Sequence, residues 1–230
     1  MKVSAIIPSA GLGTRMGGIK KPYIEIAGKP ILTYTLKIFQ QCQYVDKILV
    51  VTAKGDEERC SNEIINYYAI DKVTDIIAGG NTRQESVFNA LQNLSSNTDI
   101  VVIHDAVRPF LTEAMIVESI KQAEKHGSAI VAIPVKDTIK EANKDGIVQK
   151  TLDRTNLWAI QTPQTFRYDI IIKAHLKAKE DGIQATDDAF LVEQMGLKVK
   201  IIMGGYENIK ITTPEDLMIA EAILKLKEKK

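Results

Sequence analysis

Val3-Ser4-Ala5-Ile6-Ile7-Pro8-Ser9-Ala10-Gly11-Leu12-Gly13-Thr14-Arg15-Met16-Gly17-Gly18 decides the fold class. Its first part is a short apolar run that gives way to glycines soon after Pro8, the pattern of a strand feeding a tight turn. Glycines let the backbone turn sharply and present consecutive N–H groups as a nest for an anion. In an open α/β sheet this turn lies at the carboxyl end of a strand, where ligands bind. A phosphate cradle is one reading of the stretch. A plain strand-to-helix turn with surface Arg and Lys is the other.

Spacing narrows the phosphate ligand. A dinucleotide fingerprint needs a third glycine three residues after the second, and Met16 stands there, so a nicotinamide dehydrogenase does not fit. A P-loop needs Lys directly after the second glycine; Gly13 and Gly18 are spaced for it, but Ile19 follows. What remains is a glycine loop with Arg15 inside it and Lys20-Lys21-Pro22 just beyond. Two cations beside a phosphate nest suit a triphosphate.

Beyond this turn, short β-branched runs alternate with helical patterns. Val3–Ile7, Ile48–Thr52, Val73–Ala78, Ile100–His104, Ala129–Val135 and Val199–Met203 read as strands, several apolar on both faces. Val87, Leu91 and Leu94 mark one helical stripe, and Ile116, Ile120 and Ala123 another. Thr213, Pro214 and Asp216 carry helix-start chemistry. The expected fold is α/β and Rossmann-like: a mostly parallel twisted sheet with helices on both faces. Thr138–Ala142 and Ile147–Thr151 flank Asn143-Lys144-Asp145-Gly146 and read as a protruding β-hairpin arm with an Asp-Gly turn. A lone hairpin is marginal in water, so this arm is expected to pack on the parent domain or on a second subunit.

The chain has 230 residues and a formal net charge of +1, with 45% hydrophobic content. At about 150 residues per domain this is one large domain, taken as 1–230, with the arm at 136–157 as a subelement. Balanced charge removes the usual argument for a nucleic-acid partner, and no apolar run is long enough for a membrane span. Cys42 and Cys60 lack metal-ligand spacing, and the N-terminal apolar stretch is too short for a signal peptide. Reduced thiols in a cytoplasmic protein are expected.

Blocks further along the chain sharpen the reading. They are Gly79-Gly80-Asn81-Thr82-Arg83-Gln84-Glu85-Ser86-Val87, His104-Asp105-Ala106-Val107-Arg108-Pro109, Pro134-Val135-Lys136-Asp137-Thr138, Asp153-Arg154-Thr155-Asn156-Leu157-Trp158, Gln161-Thr162-Pro163-Gln164 and Asn208-Ile209-Lys210-Ile211-Thr212. With the glycine turn and Lys21-Pro22, this order resembles the nucleotidyltransferases of the sugar-nucleotide type. Within them it is similar to the 2-C-methyl-D-erythritol 4-phosphate cytidylyltransferase family, across essentially the whole chain. The resemblance implies transfer of CMP from CTP to methylerythritol phosphate, a homodimer formed through the arm, and Mg²⁺. A ribitol-5-phosphate cytidylyltransferase, sharing several blocks, and a non-catalytic nucleotide-sensing module are the competing readings.

Each site residue has a functional and a plainer reading. Asp105, after an apolar strand, suits a Mg²⁺ ligand beside a triphosphate. Arg108 holds a phosphate or pairs with Asp105. His104 reads as structural, because a phosphate nucleophile is already ionised. Arg83 and Ser86 open a helix, as a cap or as ligand contacts. Lys210, on a short strand Ile209–Ile211, points to solvent by alternation, whereas the resemblance puts it in the active site. Thr186, before Asp187-Asp188, caps a helix or contacts substrate.

The resemblance further implies nucleotide contacts from Ser9, Ala10, Gly11, Gly13 and Thr14, and from Gly80, Arg83, Ser86, Asp105 and Ala106. It implies substrate contacts from Arg108, Thr138, Arg154, Thr162 and Thr186, with Thr138 and Arg154 serving a partner's site. Arg15, Lys21 and Lys210, with Mg²⁺, are expected to offset the charge that builds on the α-phosphate.

Overall fold

The computed structural model describes residues 1–11, 20–95 and 97–228. The chain opens on β1 (Val3–Pro8), buried along nearly its whole length. A 3-10 turn at Lys21–Tyr23 leads to a short antiparallel pair, β2 (Glu25–Ile26) and β3 (Lys29–Pro30), and then to α1 (Ile31–Gln41). Next come β4 (Lys47–Thr52), α2 (Glu57–Cys60) with a π-helical continuation over Ser61–Asn66, β5 (Val73–Ala78) and α3 (Arg83–Gln92). These are followed by β6 (Ile100–Ile103), α4 (Glu113–His126) and β7 (Ser128–Pro134). The arm strands β8 (Lys140–Ala142) and β9 (Val148–Thr151) precede β10 (Trp158–Arg167), α5 (Tyr168–Glu180), α6 (Asp188–Gln194), β11 (Lys200–Met203) and α7 (Pro214–Glu228).

Among the described residues, seven strands form one sheet in the order β11-β7-β10-β6-β1-β4-β5. β1 runs parallel to β4 and β6, β4 to β5, and β11 to β7. β10 alone is antiparallel to both of its neighbours, β6 and β7. The six parallel strands therefore end along one edge, and the segments that leave it begin at Ser9, Ala53, Gly79, His104, Val135 and Gly204.

Helices cover both faces, which is why the central strands are apolar without alternation. Leu32, Leu36 and Phe39 of α1 and Ile116 and Ile120 of α4 pack on one face. Val87 and Leu91 of α3, Ile171 and Ala174 of α5 and Leu191 of α6 pack on the other. Each fully buried Leu or Ile contributes about 1.5–3 kcal/mol. Helix ends follow local chemistry. Thr112 Oγ1 accepts from Met115 N at 3.3 Å to start α4, and Gly127, at φ +87°, stops it. At α7, Asp216 accepts from Thr213 N (2.9 Å) while Thr213 Oγ1 accepts from Asp216 N (3.4 Å), the reciprocal cap expected from Thr213-Pro214 and Asp216. Cys42 and Cys60 are buried free thiols, and burial pushes Cys60 up to about 11. No helix among the described residues is long and apolar enough to cross a membrane.

Three expectations need correction. The sequence gives no strand at β10, because Gln161, Thr162 and Gln164 break the apolar pattern and Pro163 argues against an interior strand. The proline is accommodated where the β7–β10 register shifts between Ile160 and Gln164. Ile209–Ile211 is not a ladder strand; the segment is held instead by Ile211 N donating to Val107 O at 2.9 Å. The arm exists as an antiparallel hairpin, but its turn is wider than an Asp-Gly pair. Asn143 closes it, its N–H donating to Ile147 O and its side chain accepting from Asp145 N and Ile147 N, with Gly146 at φ +78°. Every residue from Lys140 to Thr151 is exposed, including Ile147 at 63% and Val148 at 54%.

Candidate active site

Two turns interlock at the carboxyl edge of the sheet. After β1, the N–H and the hydroxyl of Ser9 both donate to Val51 O, at 2.7 and 2.8 Å. After β5, Gly79 N donates to Thr52 O at 2.8 Å. A Cβ on Gly79 would lie 2.5 Å from Ala10 Cβ, and one on Gly80 would lie 2.4 Å from Glu85 Cβ. Lack of a side chain lets Gly79 nest against the turn after β1 and lets Gly80 close on the start of α3. Ser86 is buried, with its hydroxyl donating to Thr82 O (2.8 Å) and accepting from Gly80 N (3.1 Å). It shapes the turn, while the cap of α3 is Thr82, whose Oγ1 accepts from Glu85 N at 3.0 Å.

Asp105, directly beyond β6, is 6% exposed and gathers three cations. Its Oδ1 accepts from Arg83 Nε at 3.2 Å, and its Oδ2 lies 2.9 Å from Lys210 Nζ and 3.5 Å from Arg108 Nε. Burial alone would raise this carboxyl's pKa. Arg83, Lys210 and Arg108 outweigh burial and hold it well below the usual carboxylate range. Arg83 also donates through Nη1 to Asp188 Oδ2 at 2.7 Å, and Arg108 through Nη1 to Asn208 O at 2.8 Å. Burial pulls the Arg83 pKa down, but Asp188 and Asp105 raise it above its ordinary value. Three cations against two carboxylates leave the cluster positive. Lys21 Nζ donates to Thr212 O at 3.3 Å, which brings a further cation to within two residues of Lys210.

His104 is committed internally. Its Nε2 donates to Arg108 O (3.0 Å), and its Nδ1 accepts from the Thr162 hydroxyl (3.0 Å), whose oxygen in turn accepts from Asp105 N at 3.1 Å. Burial lowers its pKa to about 4, so the ring is neutral at pH 7. Thr162, expected to contact substrate, thus spends its hydroxyl on the cluster. Arg108 is half of the Asp105–Arg108 ion pair that the plainer reading anticipated.

Asn208 and Asp188 escaped sequence reasoning as site residues. Asn208 is buried and donates to Thr162 O (2.9 Å) and Gln161 Oε1 (3.2 Å). Asp188 stood in view only as the neighbour of Thr186, and nothing in the sequence indicated that Arg83, 105 residues earlier, would reach it. Thr186 is exposed and does not cap α6; Asp187 does, its Oδ1 accepting from Phe190 N at 3.0 Å. Thr138 and Arg154 are exposed at the two ends of the arm, and the Arg154 guanidinium donates to Lys136 O. Neither shares a hydrogen bond or ion pair with the Asp105 cluster among the described residues. Gly11 and Gly80 are exposed, Ala10 is half-buried and Ala106 is buried. Gly13, Thr14 and Arg15 lie outside the described residues.

No group of three or more His, Cys, Asp or Glu side chains gathers to hold a metal among the described residues. A divalent cation would meet one carboxylate, Asp105, within a positive surround. Such a site suits an ion that arrives with most of its ligands supplied by phosphate and water.

Comparison with known proteins covers this whole arrangement. The chain matches the family model described as 2-C-methyl-D-erythritol 4-phosphate cytidylyltransferase over residues 3–226. It is 47% identical over 226 residues to the protein of that name from Caldanaerobacter subterraneus subsp. tengcongensis, across 98% of this chain and 100% of that one. The Clostridium acetobutylicum protein of the same name is 48% identical over 222 residues, 96% of each chain. The crystal structure of 4-diphosphocytidyl-2C-methyl-D-erythritol synthase from Anaerococcus prevotii superposes with a TM-score of 0.87 at 35% identity, over 97% of this chain and 96% of that one. The 2-C-methyl-D-erythritol 4-phosphate cytidylyltransferase of Thermus thermophilus gives 0.81 at 30% identity, over 98% and 100%. The likeness runs from β1 into α7 and so takes in the nested turns, the Asp105 cluster and the arm together. With sequence and fold agreeing over that full length, the chain belongs to the 2-C-methyl-D-erythritol 4-phosphate cytidylyltransferase family.

Proposed function

We propose that the chain transfers CMP from CTP to 2-C-methyl-D-erythritol 4-phosphate, in non-mevalonate isoprenoid precursor biosynthesis. The products are 4-diphosphocytidyl-2-C-methyl-D-erythritol and pyrophosphate. The observation that carries the reading is the convergence of Lys210, Arg83 and Arg108 on one buried carboxylate at the ligand-binding edge of the sheet, with Lys21 alongside. A phosphate oxygen of the acceptor attacks the α-phosphorus of CTP. The new P–O bond forms as the bond to the β-phosphate breaks, and pyrophosphate leaves with that electron pair.

Both reactants are polyanions, so the work is positioning and charge neutralisation rather than proton transfer. The acceptor phosphate is already ionised at pH 7 and needs no base, in keeping with a neutral, internally bonded His104. Lys21 and Lys210, with Arg15, offset the charge that builds on the α-phosphate. The nested turns at Ser9–Gly11 and Gly79–Gly80, with Arg83 and Ser86, hold the nucleotide. Asp105 is the residue that would hold Mg²⁺, which would supply further neutralisation of phosphate charge.

We assign the exposed arm to a second copy of the chain. Its exposed Ile147 and Val148 support that role, and Arg154 and Thr138 at its base would then hold the acceptor in the partner's site. Buried free thiols are compatible with a reducing cytoplasm, where we place the enzyme. Measuring pyrophosphate release from CTP with each polyol phosphate in turn tests the reading. Release with methylerythritol phosphate and not with ribitol 5-phosphate is expected. The reverse would make the chain a ribitol-phosphate enzyme, and CTP binding without release would make it a nucleotide sensor.

A further inference from the structure

Behind Arg83 runs a chain of buried contacts that the reaction itself does not use. Arg83 Nη1 donates to Asp188 Oδ2 at 2.7 Å, and the other oxygen of the same carboxylate, Oδ1, lies 3.2 Å from His175 Nε2. Asp188 is 1% exposed and His175 2%. Burial alone would raise the Asp188 pKa, but Arg83 and His175 bring it below its ordinary value, so the carboxylate only accepts. Nε2 of His175 therefore carries the hydrogen.

The remaining nitrogen, His175 Nδ1, is buried with no hydrogen-bond partner among the described residues. An unmatched polar atom costs stability that a purely apolar ring would avoid. The ring is nonetheless held in one plane, since Phe88 lies against it with centroids 5.9 Å apart and only 5° between planes. Asp188 is anchored as well: its N–H donates to Gln164 Oε1 at 3.1 Å, and Gln164 Nε2 donates to Asp187 Oδ2 at 2.7 Å. A polar ring fixed in orientation thus directs its single hydrogen bond at the carboxylate that fixes Arg83.

We infer that His175 is a positioning residue for the nucleotide site, acting through Asp188 to set the Arg83 guanidinium against Asp105. The inference rests on the reading that Arg83 serves CTP. Two substitutions separate positioning from packing. The amide of Gln reaches where ring Nε2 stands, whereas that of Asn ends short, near Nδ1; both lose the same stacking on Phe88.

His175→Asn should raise KM for CTP about tenfold, with kcat within about threefold, as expected for loss of one hydrogen bond to a charged group. His175→Gln should recover most of that loss, while thermal melts show similar destabilisation in both. In an Arg83→Lys background, His175→Asn should add less than about twofold, because the pathway to CTP is already cut. Equal KM in the Asn and Gln variants, or a full tenfold effect in the Arg83→Lys background, would overturn the inference. If His175→Asn does not fold, Asp188→Asn takes its place, and an unchanged KM for CTP in that variant has the same meaning. Failure of the wild-type chain to release pyrophosphate would instead sink the cytidylyl-transfer reading itself, which keeps the two failures apart.

Discussion

The Asp105 cluster and the hairpin arm treat polar groups in opposite ways. In the cluster, one buried carboxylate is met by cations from α3, the β6 edge and the segment before α7, so its charge is answered within the same chain. In the arm, Lys140 to Thr151 stand in solvent, and Ile147 and Val148 have little of the chain to pack against. The first region is a finished piece of electrostatics, and the second is an unfinished piece of packing. On the proposed reading, the difference separates charge neutralisation inside one subunit from acceptor binding that would depend on two.

Removing the site's lysines should give the largest effect. Lys210→Ala and Lys21→Ala are each expected to lower kcat by about 10²–10³, the usual cost of losing one preorganised charge contact. Steady-state kinetics with saturating CTP measures this, and near-normal turnover in either variant would remove that lysine from the mechanism. Asp105→Asn attacks the same region from its buried side. Removing the anion that three cations share, when only Arg83 keeps a second carboxylate among the described residues, should cost about 3–5 kcal/mol of stability, or roughly 10 °C in Tm by calorimetry. A melt unchanged from wild type would show that the cations are satisfied by solvent.

The arm calls for a different pattern. Deleting Lys140–Gln149 should leave Tm within about 3 °C of wild type, because the removed side chains are exposed, while sedimentation shifts from dimer to monomer. Arg154→Ala should raise KM for methylerythritol phosphate about tenfold and leave CTP untouched, the loss of one charged contact. A deletion that unfolds the chain would show that the arm belongs to the core after all.

The smallest expected effect is on the pH dependence of stability. His104 has its pKa lowered to about 4 in the folded protein, from 6.5. Between these values the unfolded chain binds a proton that the folded one refuses, so stability falls as pH drops from 6.5 towards 4. His104→Gln should flatten that slope in urea titrations at successive pH values. Asp105 contributes in the same sense at lower pH: its depressed pKa gives stability that is fully present above the ordinary carboxylate value and is lost at more acidic pH. The arm-deleted chain should trace the same curve as wild type, since both groups lie in the cluster.

How much of this was legible in the sequence depended on whether the signal was local. The strand before the glycines, the reciprocal cap at Thr213 and Asp216, and the hairpin all speak through neighbours within a few residues. β10 did not, because its polar stretch is stabilised by partners from distant segments, such as Asn208 on Thr162 O and Gly205 O on Gln161. Asp188 was hidden for the same reason, since its meaning lies in Arg83 and His175, which no spacing rule connects to it. Thr162 and Thr186 show the converse, as hydroxyls in suggestive blocks whose surroundings decide what they do.

One consequence of the Asp105 arrangement concerns mutual repulsion among its cations. Left alone, the positive groups around it would push one another outward into solvent. Asp105 offsets that repulsion and keeps them gathered at one point of the sheet edge. On the proposed reading, a phosphate reaching this edge would meet cations that already share one negative partner.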